Sequence, residues 1–277
     1  MATQTMAAHL GDIKQLGADG GISLSTTVAR TFIPPGTRWI SLTPRNFATG
    51  VVAQVRFNPW LTVLKTTDDL LTAANLTNYS DEAQDNSTGT SVTLSSQGTG
   101  AQGDALYVGA DYPFSGVAID VDGANGNASV LTVNYWNGSA WTDSSDTDGT
   151  ASGGATLAVD GSVTWTIPTA WVKASLYDIQ NELDSGLGDT MPNVGILQRE
   201  LFWTQWVVSA ALDSAVTLDS MLAIRAAADY FELQEGQAFE QALKGAQPGG
   251  FASFDALMNA GTGNLVATAS GRFSPVG

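Results

Sequence analysis

The sequence predicts an all-β protein, a sandwich or barrel with a second, smaller β domain formed by the N- and C-terminal segments. Three observations predict it. From Ile22 onward, short β-branched and aromatic runs recur between Gly, Pro, Asn and Asp, which punctuate a turn-rich sandwich or barrel rather than helices. Several runs alternate with a period of two: Val51, Ala53, Val55 and Phe57 against Val52, Gln54 and Arg56, and Val163, Trp165 and Ile167 against Ser162, Thr164 and Thr166. Charged residues make up only 14% of the chain, against ~25% in ordinary soluble domains, and hydroxyls, amides and glycine take their place.

Residues 1–20 read as an N-terminal arm. Met6, Leu10 and Ile13 form a short apolar stripe at helical spacing, but Gly11, Gly17, Gly20 and Gly21 break it. The arm is therefore expected to be dispensable for folding. Residues 21–75 form an N-terminal β segment, with a strand at 39–42 behind the Pro34-Pro35-Gly36 turn and another at 51–57, one face buried and one wet. Residues 76–104, rich in Thr, Asn, Ser, Asp and Gly around a single strand at 92–94, read as a polar linker.

Residues 105–225 carry the sandwich, with strands at 106–108, 116–121 and 130–136. Asn137-Gly138 then predicts a two-residue hairpin turn, because both central residues of a type I′ turn need positive φ, and it sets Trp136 against Trp141 across the strands. A loop over 143–154 leads to strands at 155–159 and 163–167, the second stopped by Pro168. Residues 201–210 are apolar on both faces, Leu201, Trp203 and Val207 opposite Phe202, Trp206 and Val208, as in a strand central in a sandwich or half-covered by a partner. Residues 226–277 form a C-terminal β segment packing with 21–75. Its strands fall at 230–233 and 238–243, broken at Gly236, with a closing hairpin over 251–273 that turns at Gly261-Thr262-Gly263. Short helices are expected in the arm and between 170 and 187.

Eleven Lys and Arg stand against 27 Asp and Glu, a formal charge of −16, which argues against a nucleic-acid surface because clustered cations are needed to displace the counterions of a polyanion. No stretch approaches the ~18 apolar residues of a membrane span, and residues 1–20 lack the basic and apolar regions of a signal peptide, so synthesis in the cytoplasm is expected. The absence of cysteine removes disulfides, thiolate metal sites and a cysteine nucleophile. The one histidine, His9, lies in the arm and leaves no Ser/His/Asp triad for the core.

Residues 98–103 match GxGxxG, but a polar loop precedes them and a β-like run follows, where a dinucleotide site needs strand then helix. Residues 120–127 space oxygen-bearing side chains as a calcium loop does, and Asp143, Asp146 and Asp148 form a second group. Neither carries the bidentate Glu at the twelfth position, and turn chemistry accounts for both. Asp68-Asp69 and Glu232/Glu235 are the acidic pairs to weigh as acid/base carboxylates, and Trp136, Trp141, Trp165, Trp171, Trp203 and Trp206 as sugar-stacking rings. The expectation is a non-enzyme with no catalytic, cofactor-binding or metal-binding residue.

Residues 105–141, ALYVGADYPFSGVAIDVDGANGNASVLTVNYWNGSAW, resemble a recurrent module of tailed-bacteriophage virion proteins, in which an LYVG…PF strand pair precedes an LTVEYWNGSAW-type hairpin. Gly161, Val163, Trp165, Pro168 and Trp171 are similar to its G-x-V-x-W-x-x-P-x-x-W element. Residues 201–220 are similar to its closing strand, with Phe202-Trp203-Thr204-Gln205-Trp206 where an Arg is expected. The resemblance covers roughly half of the chain. It implies a jelly-roll-like virion structural protein without catalytic residues: a capsid decoration or cement protein, or a tail or baseplate accessory part. Implied partners are the major capsid protein or tail proteins and further copies of itself, without nucleic acid or membrane; the alternative is an adhesin that binds host surface glycan. The scarcity of Lys and Arg predicts an assembly surface that is apolar and hydroxyl-rich. Were it ionic, Arg30, Arg38, Arg45 and Arg56 would form it.

Overall fold

The computed structural model describes residues 12–85, 87–245 and 247–271. Strands hold 46% of the chain and helical segments 9%, so the protein is all-β. In chain order the strands are β1 (Asp12–Leu16), β2 (Ile22–Leu24), β3 (Ala29–Phe32), β4 (Thr37–Arg45), β5 (Val52–Pro59), β6 (Thr62–Thr67), β7 (Leu76–Asn78), β8 (Val92–Thr93), β9 (Asp104–Ala110), β10 (Gly116–Gly123), β11 (Leu131–Trp136), β12 (Trp141–Asp143), β13 (Thr147–Asp148), β14 (Gly161–Thr164), β15 (Lys173–Ala174), β16 (Leu201–Val208), β17 (Thr217–Ile224), β18 (Phe231–Gln234), β19 (Phe239–Ala242), β20 (Phe251–Met258) and β21 (Gly263–Gly271). Helices α1 (Leu176–Leu183) and α2 (Leu187–Thr190) lie between β15 and β16. The chain divides into two compact units, residues 1–60 with 225–277, and residues 61–224.

The first unit is a sandwich of two antiparallel sheets. One runs β1-β21-β4-β19, with β2 also on β21, and the other runs β18-β5-β20-β3. Alternation places Leu16, Ala267, Leu42 and Phe239 in one register row of the first sheet. They close a core with Val55, Phe57, Phe254 and Ala256 of the second. Phe57 sits at the centre of an aromatic cluster, its ring centroid 5.6 Å from that of Phe251 and 6.0 Å from those of Phe239 and Phe254.

Three expectations for this unit change. Residues 1–11, including Met6, His9 and Leu10, lie outside the described residues. The glycines at 17–21, however, do not end an arm. β1 and β2 pair with successive stretches of β21, and the segment between them loops out, with Gly17 at φ 82° and Gly21 at φ 94°. A Cβ on Gly21 would stand 2.8 Å from the Leu265 carbonyl oxygen. Leu16 is buried in the core, so removing residues 1–20 takes away a strand of the sheet. The closing hairpin is not a hairpin either. β20 lies between β5 and β3 and β21 between β1 and β4, so the turn at Gly261 carries the chain from one sheet to the other. A turn before a β-prone run signals a change of direction, and which sheet takes up the run is settled by the core it must cover. The β18–β19 connection crosses in the same way at Gly236, φ 81°. Finally, β5 has no wet face: Arg56 and Asn58 are buried as well as Val55 and Phe57.

The second unit is also a two-sheet sandwich. Its sheets run β12-β11-β16-β9-β6-β7, with β15 on β16, and β13-β14-β10-β17-β8. The chain passes between sheets from β9 to β10 and again from β16 to β17, while β9 pairs with β16 and β10 with β17. Val108, Val133 and Trp206 meet Val117, Val163 and Met221 in the core between the sheets. β16 is central, between β11 and β9, and its two apolar faces divide as the sequence reads. Trp206 and Val208 enter that core, whereas Leu201 and Trp203 face a second one closed by Leu176, Ile179, Met191 and Leu197. The cover is thus the chain's own helical segment. Ser175 caps α1, its Oγ accepting from the Asp178 amide at 3.1 Å, and Leu176 and Ile179 at i, i+3 turn one face of the helix inward.

Residues 76–104 are part of this sandwich and not a linker, and the unit begins at residue 61 instead of 105. The polar side chains that suggested a linker satisfy strand backbone. Gln84 is buried with Oε1 accepting from the Leu61 amide at 2.5 Å, Ser80 Oγ accepts from the Val63 amide at 3.0 Å, and Ala83 lies in the core. Residues 155–159 form no strand, Ala155 making only isolated bridges to Ser129 and Ser152 before a turn with Leu157 at φ 53°, and β14 ends at Thr164, short of the expected Ile167. The chain there leaves the ladder while Trp165 packs edge-on against Phe114 at 5.4 Å.

The hairpin at Asn137-Gly138 keeps its aromatic pair and changes its turn. Trp136 pairs with Trp141, their rings 5.5 Å apart at 66°. The loop has four residues, 137–140, with Gly138 at φ 100° and Asn137 at negative φ. The Asn137 side chain holds it, Oδ1 accepting from the Ser139 and Ala140 amides at 2.9 Å each. A Cβ on Gly138 finds room, 3.4 Å from Val172 Cγ2, so the penalty of a side chain is backbone strain. Gly138→Val is expected to cost the second unit about 1–3 kcal/mol in thermal or urea unfolding. An unshifted transition would show that this φ is not required.

Candidate functional site

The most highly organised ionic group lies in the first unit, on the side of the β5-β20-β3 sheet away from the core. Arg56, Asp255 and Arg30 are register partners on three adjacent strands. Asp255 is fully buried and shared by both guanidiniums: Arg30 donates through Nε at 2.7 Å and Nη2 at 3.0 Å, Arg56 through Nε at 3.0 Å and Nη2 at 2.8 Å. Arg56 Nη1 donates to the Arg225 carbonyl, and its guanidinium lies over the Tyr230 ring at 4.4 Å. The Tyr230 hydroxyl is held above its ordinary pKa, first by burial, with Arg56 acting against it. A carboxylate with its oxygens taken up by two arginines is a structural lock between strands. Sequence reading missed this row because alternation assigned Arg56 to solvent, and its charge partner stands 199 residues away.

The sequence-nominated groups are occupied with the fold. Asp68 feels burial, but hydrogen bonds from Thr72, Asn75, Thr66 and the Leu71 amide prevail and hold its carboxyl below the usual range. Asp69 is pushed up by burial and then by Asp68 and Asp104. Glu235 accepts from the Phe47 amide at 2.9 Å, and Glu232 is exposed. Residues 98–103 form a capped 3-10 turn, Thr99 and Gln102 bonding reciprocally, with Gly103 at φ 84° leading into β9. Asn125 is buried, its amide donating to Asn127 O, Ser129 Oγ and Thr156 O at 3.0 Å each. Asp143, Asp146 and Asp148 accept from the Ser145, Val133 and Thr150 amides. Among the described residues, no three Asp, Glu or His side chains form a metal-binding group, and no helix is long and apolar enough to cross a membrane. Five of the six tryptophans weighed for sugar stacking are buried, and Trp141 packs on Tyr107 and Trp136.

Asp120 lies in a different setting. On the outer side of β10 it meets Asp160, Asp219 and Asp122, and its pKa is raised, first by burial and then by these carboxylates. The folded form therefore takes up this proton at a pH above the reference value of 3.8. Its contribution to stability is fully present below that value and is lost as pH rises through the folded pKa. Asp120→Asn is thus expected to melt higher than the parent at neutral pH, with the gap closing on acidification. A gap that widened at low pH would reverse the assignment.

Charge is unequally divided between the units. Residues 1–60 and 225–277 carry eight Lys and Arg against seven Asp and Glu, whereas residues 61–224 carry three against twenty. The first unit is near neutral, and the second holds all of the chain's negative excess. In the first unit Arg30 and Arg56 are spent on Asp255, and Arg225 pairs with Asp229. Lys14, Arg38, Arg45 and Lys244 enter no ion pair among the described residues; all are exposed, and all lie on or just after strands of the β1-β21-β4-β19 sheet. Arg38 and Lys244 share a cleft of about 330 Å³ with Thr37, Gly245 and Gln247.

The outer face of this sheet is fixed by register. Ile13, Ser270, Trp39 and Ala242 form one row across four strands, Gln15, Thr268, Ser41 and Glu240 the next, then Val266 with Thr43 and Asn264 with Arg45. Trp39 and Val266 belong to none of the hydrophobic clusters among the described residues, and Ile13 is 68% exposed. The face is hydroxyl- and amide-rich around one tryptophan. Compared with known proteins, the chain matches no protein-family model and no curated protein.

Proposed function

We propose that this chain is a non-enzymatic structural component of a bacteriophage virion, a decoration or cement protein that binds the particle surface. The observation that carries this reading is where the residues of the resemblance lie. Phe114, Trp136, Trp165 and Trp171 are all buried in the second unit, and Phe114 contacts Trp165 and Trp171 at 5.4 and 5.2 Å. The likeness to virion modules therefore rests on the framework of a sandwich and not on loop composition. The non-enzymatic part is supported by the ionisable groups, since the buried Asp255 is locked between arginines and the buried Tyr107 phenol is pushed up by burial to about 12, out of range for a base at neutral pH.

Particles of the phage that encodes the chain test the reading. The protein is expected at a fixed copy number in purified virions by mass spectrometry, and on their surface by antibody-labelled electron microscopy. Absence from washed particles would overturn it. Saturable binding to host surface glycans without particle association would replace it with the adhesin reading.

A further inference from the structure

We propose that Asn137 is a site of spontaneous deamidation, in which the Gly138 amide nitrogen attacks the Asn137 side-chain carbonyl and the resulting succinimide opens in water to aspartate or isoaspartate. The inference is independent of a virion role. Asn-Gly, the pair in which no following side chain hinders that attack, occurs at 125–126 and 137–138, and the fold treats the two differently.

In this reaction the Gly138 nitrogen loses its proton and bonds to Asn137 Cγ, and the Cγ–Nδ2 bond breaks. The departing nitrogen takes up a proton and leaves as ammonia, so the protons balance. Water then adds at either ring carbonyl, and no oxidant or reductant is needed. At 137–138 each requirement is met. The Gly138 amide donates to no acceptor among the described residues, so no hydrogen bond must break to free it. Asn137 Oδ1 accepts from the Ser139 amide at 2.9 Å, the Ala140 amide at 2.9 Å and Ser139 Oγ at 3.1 Å. Those three donors polarise the carbonyl and stabilise the negative oxygen that forms on attack. Nδ2 gives one hydrogen bond, to Thr142 Oγ1 at 2.9 Å, and residues 138–140 are exposed to the water that opens the ring.

Asn125 Oδ1 is also polarised, by the Asn127 and Asp213 amides at 3.1 Å each, but the other requirements fail. The Gly126 amide donates to Asp213 Oδ2 at 2.7 Å, and a carboxylate at that distance opposes the amide anion that attack requires. Nδ2 is tied to three acceptors at 3.0 Å each, and Asn125 is 2% exposed, which keeps water from its carbonyl.

The two products act differently on the hairpin. Aspartate keeps an oxygen for the Ser139 and Ala140 amides and adds one negative charge to a chain at −16. Isoaspartate inserts a methylene into the backbone of the loop that sets Trp136 against Trp141, and so loosens that pair.

Peptide mass spectrometry of the purified full chain, incubated in neutral buffer at physiological temperature, tests this, with electron-transfer fragmentation separating aspartate from isoaspartate. In the folded chain, position 137 is expected to gain the mass of amide-to-acid conversion while position 125 keeps its amide. In urea, where only the local sequence remains, the two positions are expected to convert at similar rates. This comparison is internal to the parent chain and depends on no variant folding. Gly138→Ala is expected to slow conversion at position 137 roughly tenfold, since a Cβ hinders the nitrogen's approach and disfavours this φ. The isoaspartate fraction is expected to unfold at a lower urea concentration than the fresh chain. A folded chain that keeps its amide at position 137, one that converts as fast at position 125, or a contrast that persists unchanged in urea would each overturn the proposal. Particle association is read separately, so failure here leaves the virion reading standing, and the reverse.

Discussion

Replacing Asp255 with alanine is expected to destabilise the first unit by about 3–5 kcal/mol, because it strands two guanidiniums that the fold has already withdrawn from water. Asp255 is fully buried, and the Arg56 side chain is 8% exposed and that of Arg30 20%. Asp255→Asn keeps the volume, loses the charge and is expected to fall between parent and alanine. Hydrogen exchange read by mass spectrometry locates the effect. Peptides from β3, β5 and β20 are expected to lose protection, while those from β9 and β16 keep theirs. The more exposed cluster of Asp111 with Lys173 and Arg199 provides the contrast, since Lys173→Ala there is expected to cost at most about 1 kcal/mol. Equal effects at the two sites would mean that burial does not set the strength of the row.

Trp203→Ala is expected to cost the second unit about 3–5 kcal/mol. Trp203 is fully buried and its indole Nε1 has no hydrogen-bond partner among the described residues, so the loss is one of packing. Its cross-strand partner is Gly109, where a Cβ would stand 2.5 Å from the ring. Gly109→Ala alone is therefore expected to cost about 1–3 kcal/mol by overpacking, and far less in the Trp203→Ala background, where the ring is gone. Urea unfolding of the four proteins measures the coupling. Additive effects would show that glycine and tryptophan do not share one space.

What the sequence determined by itself is local. Alternation located β5, because a period of two is imposed by the backbone and not by its neighbours, and β-prone runs bounded by turn residues located the middle of β4 and nearly all of β11. The double-faced run at β16 announced a central strand. Asn137-Gly138 announced a reversal that brings Trp136 to Trp141, although not its length, since the Asn side chain bonds to two amides and widens the loop to four residues. The acidic excess and the lack of a histidine outside residues 1–11 were equally plain.

What the tertiary structure decided is which distant segment answers each run. β20 and β21 flank a turn that reads as a hairpin, yet each completes a different sheet, because the sandwich core needs both inner faces covered. The polar stretch 76–104 reads as a linker, yet Gln84 and Ser80 satisfy backbone groups of residues 61 and 63 that no local signal identifies. Arg56 reads as a solvent-facing residue and is buried because Asp255, Arg225 and Tyr230 arrive from the far end of the chain. The division of charge followed the same logic. A count over the chain returns −16 and hides a near-neutral unit built from the two ends, which the sequence pairs but whose bounds at residues 60 and 225 the fold sets. A side chain's period is written in its neighbours along the chain, whereas its burial, partner and local field depend on contacts across it.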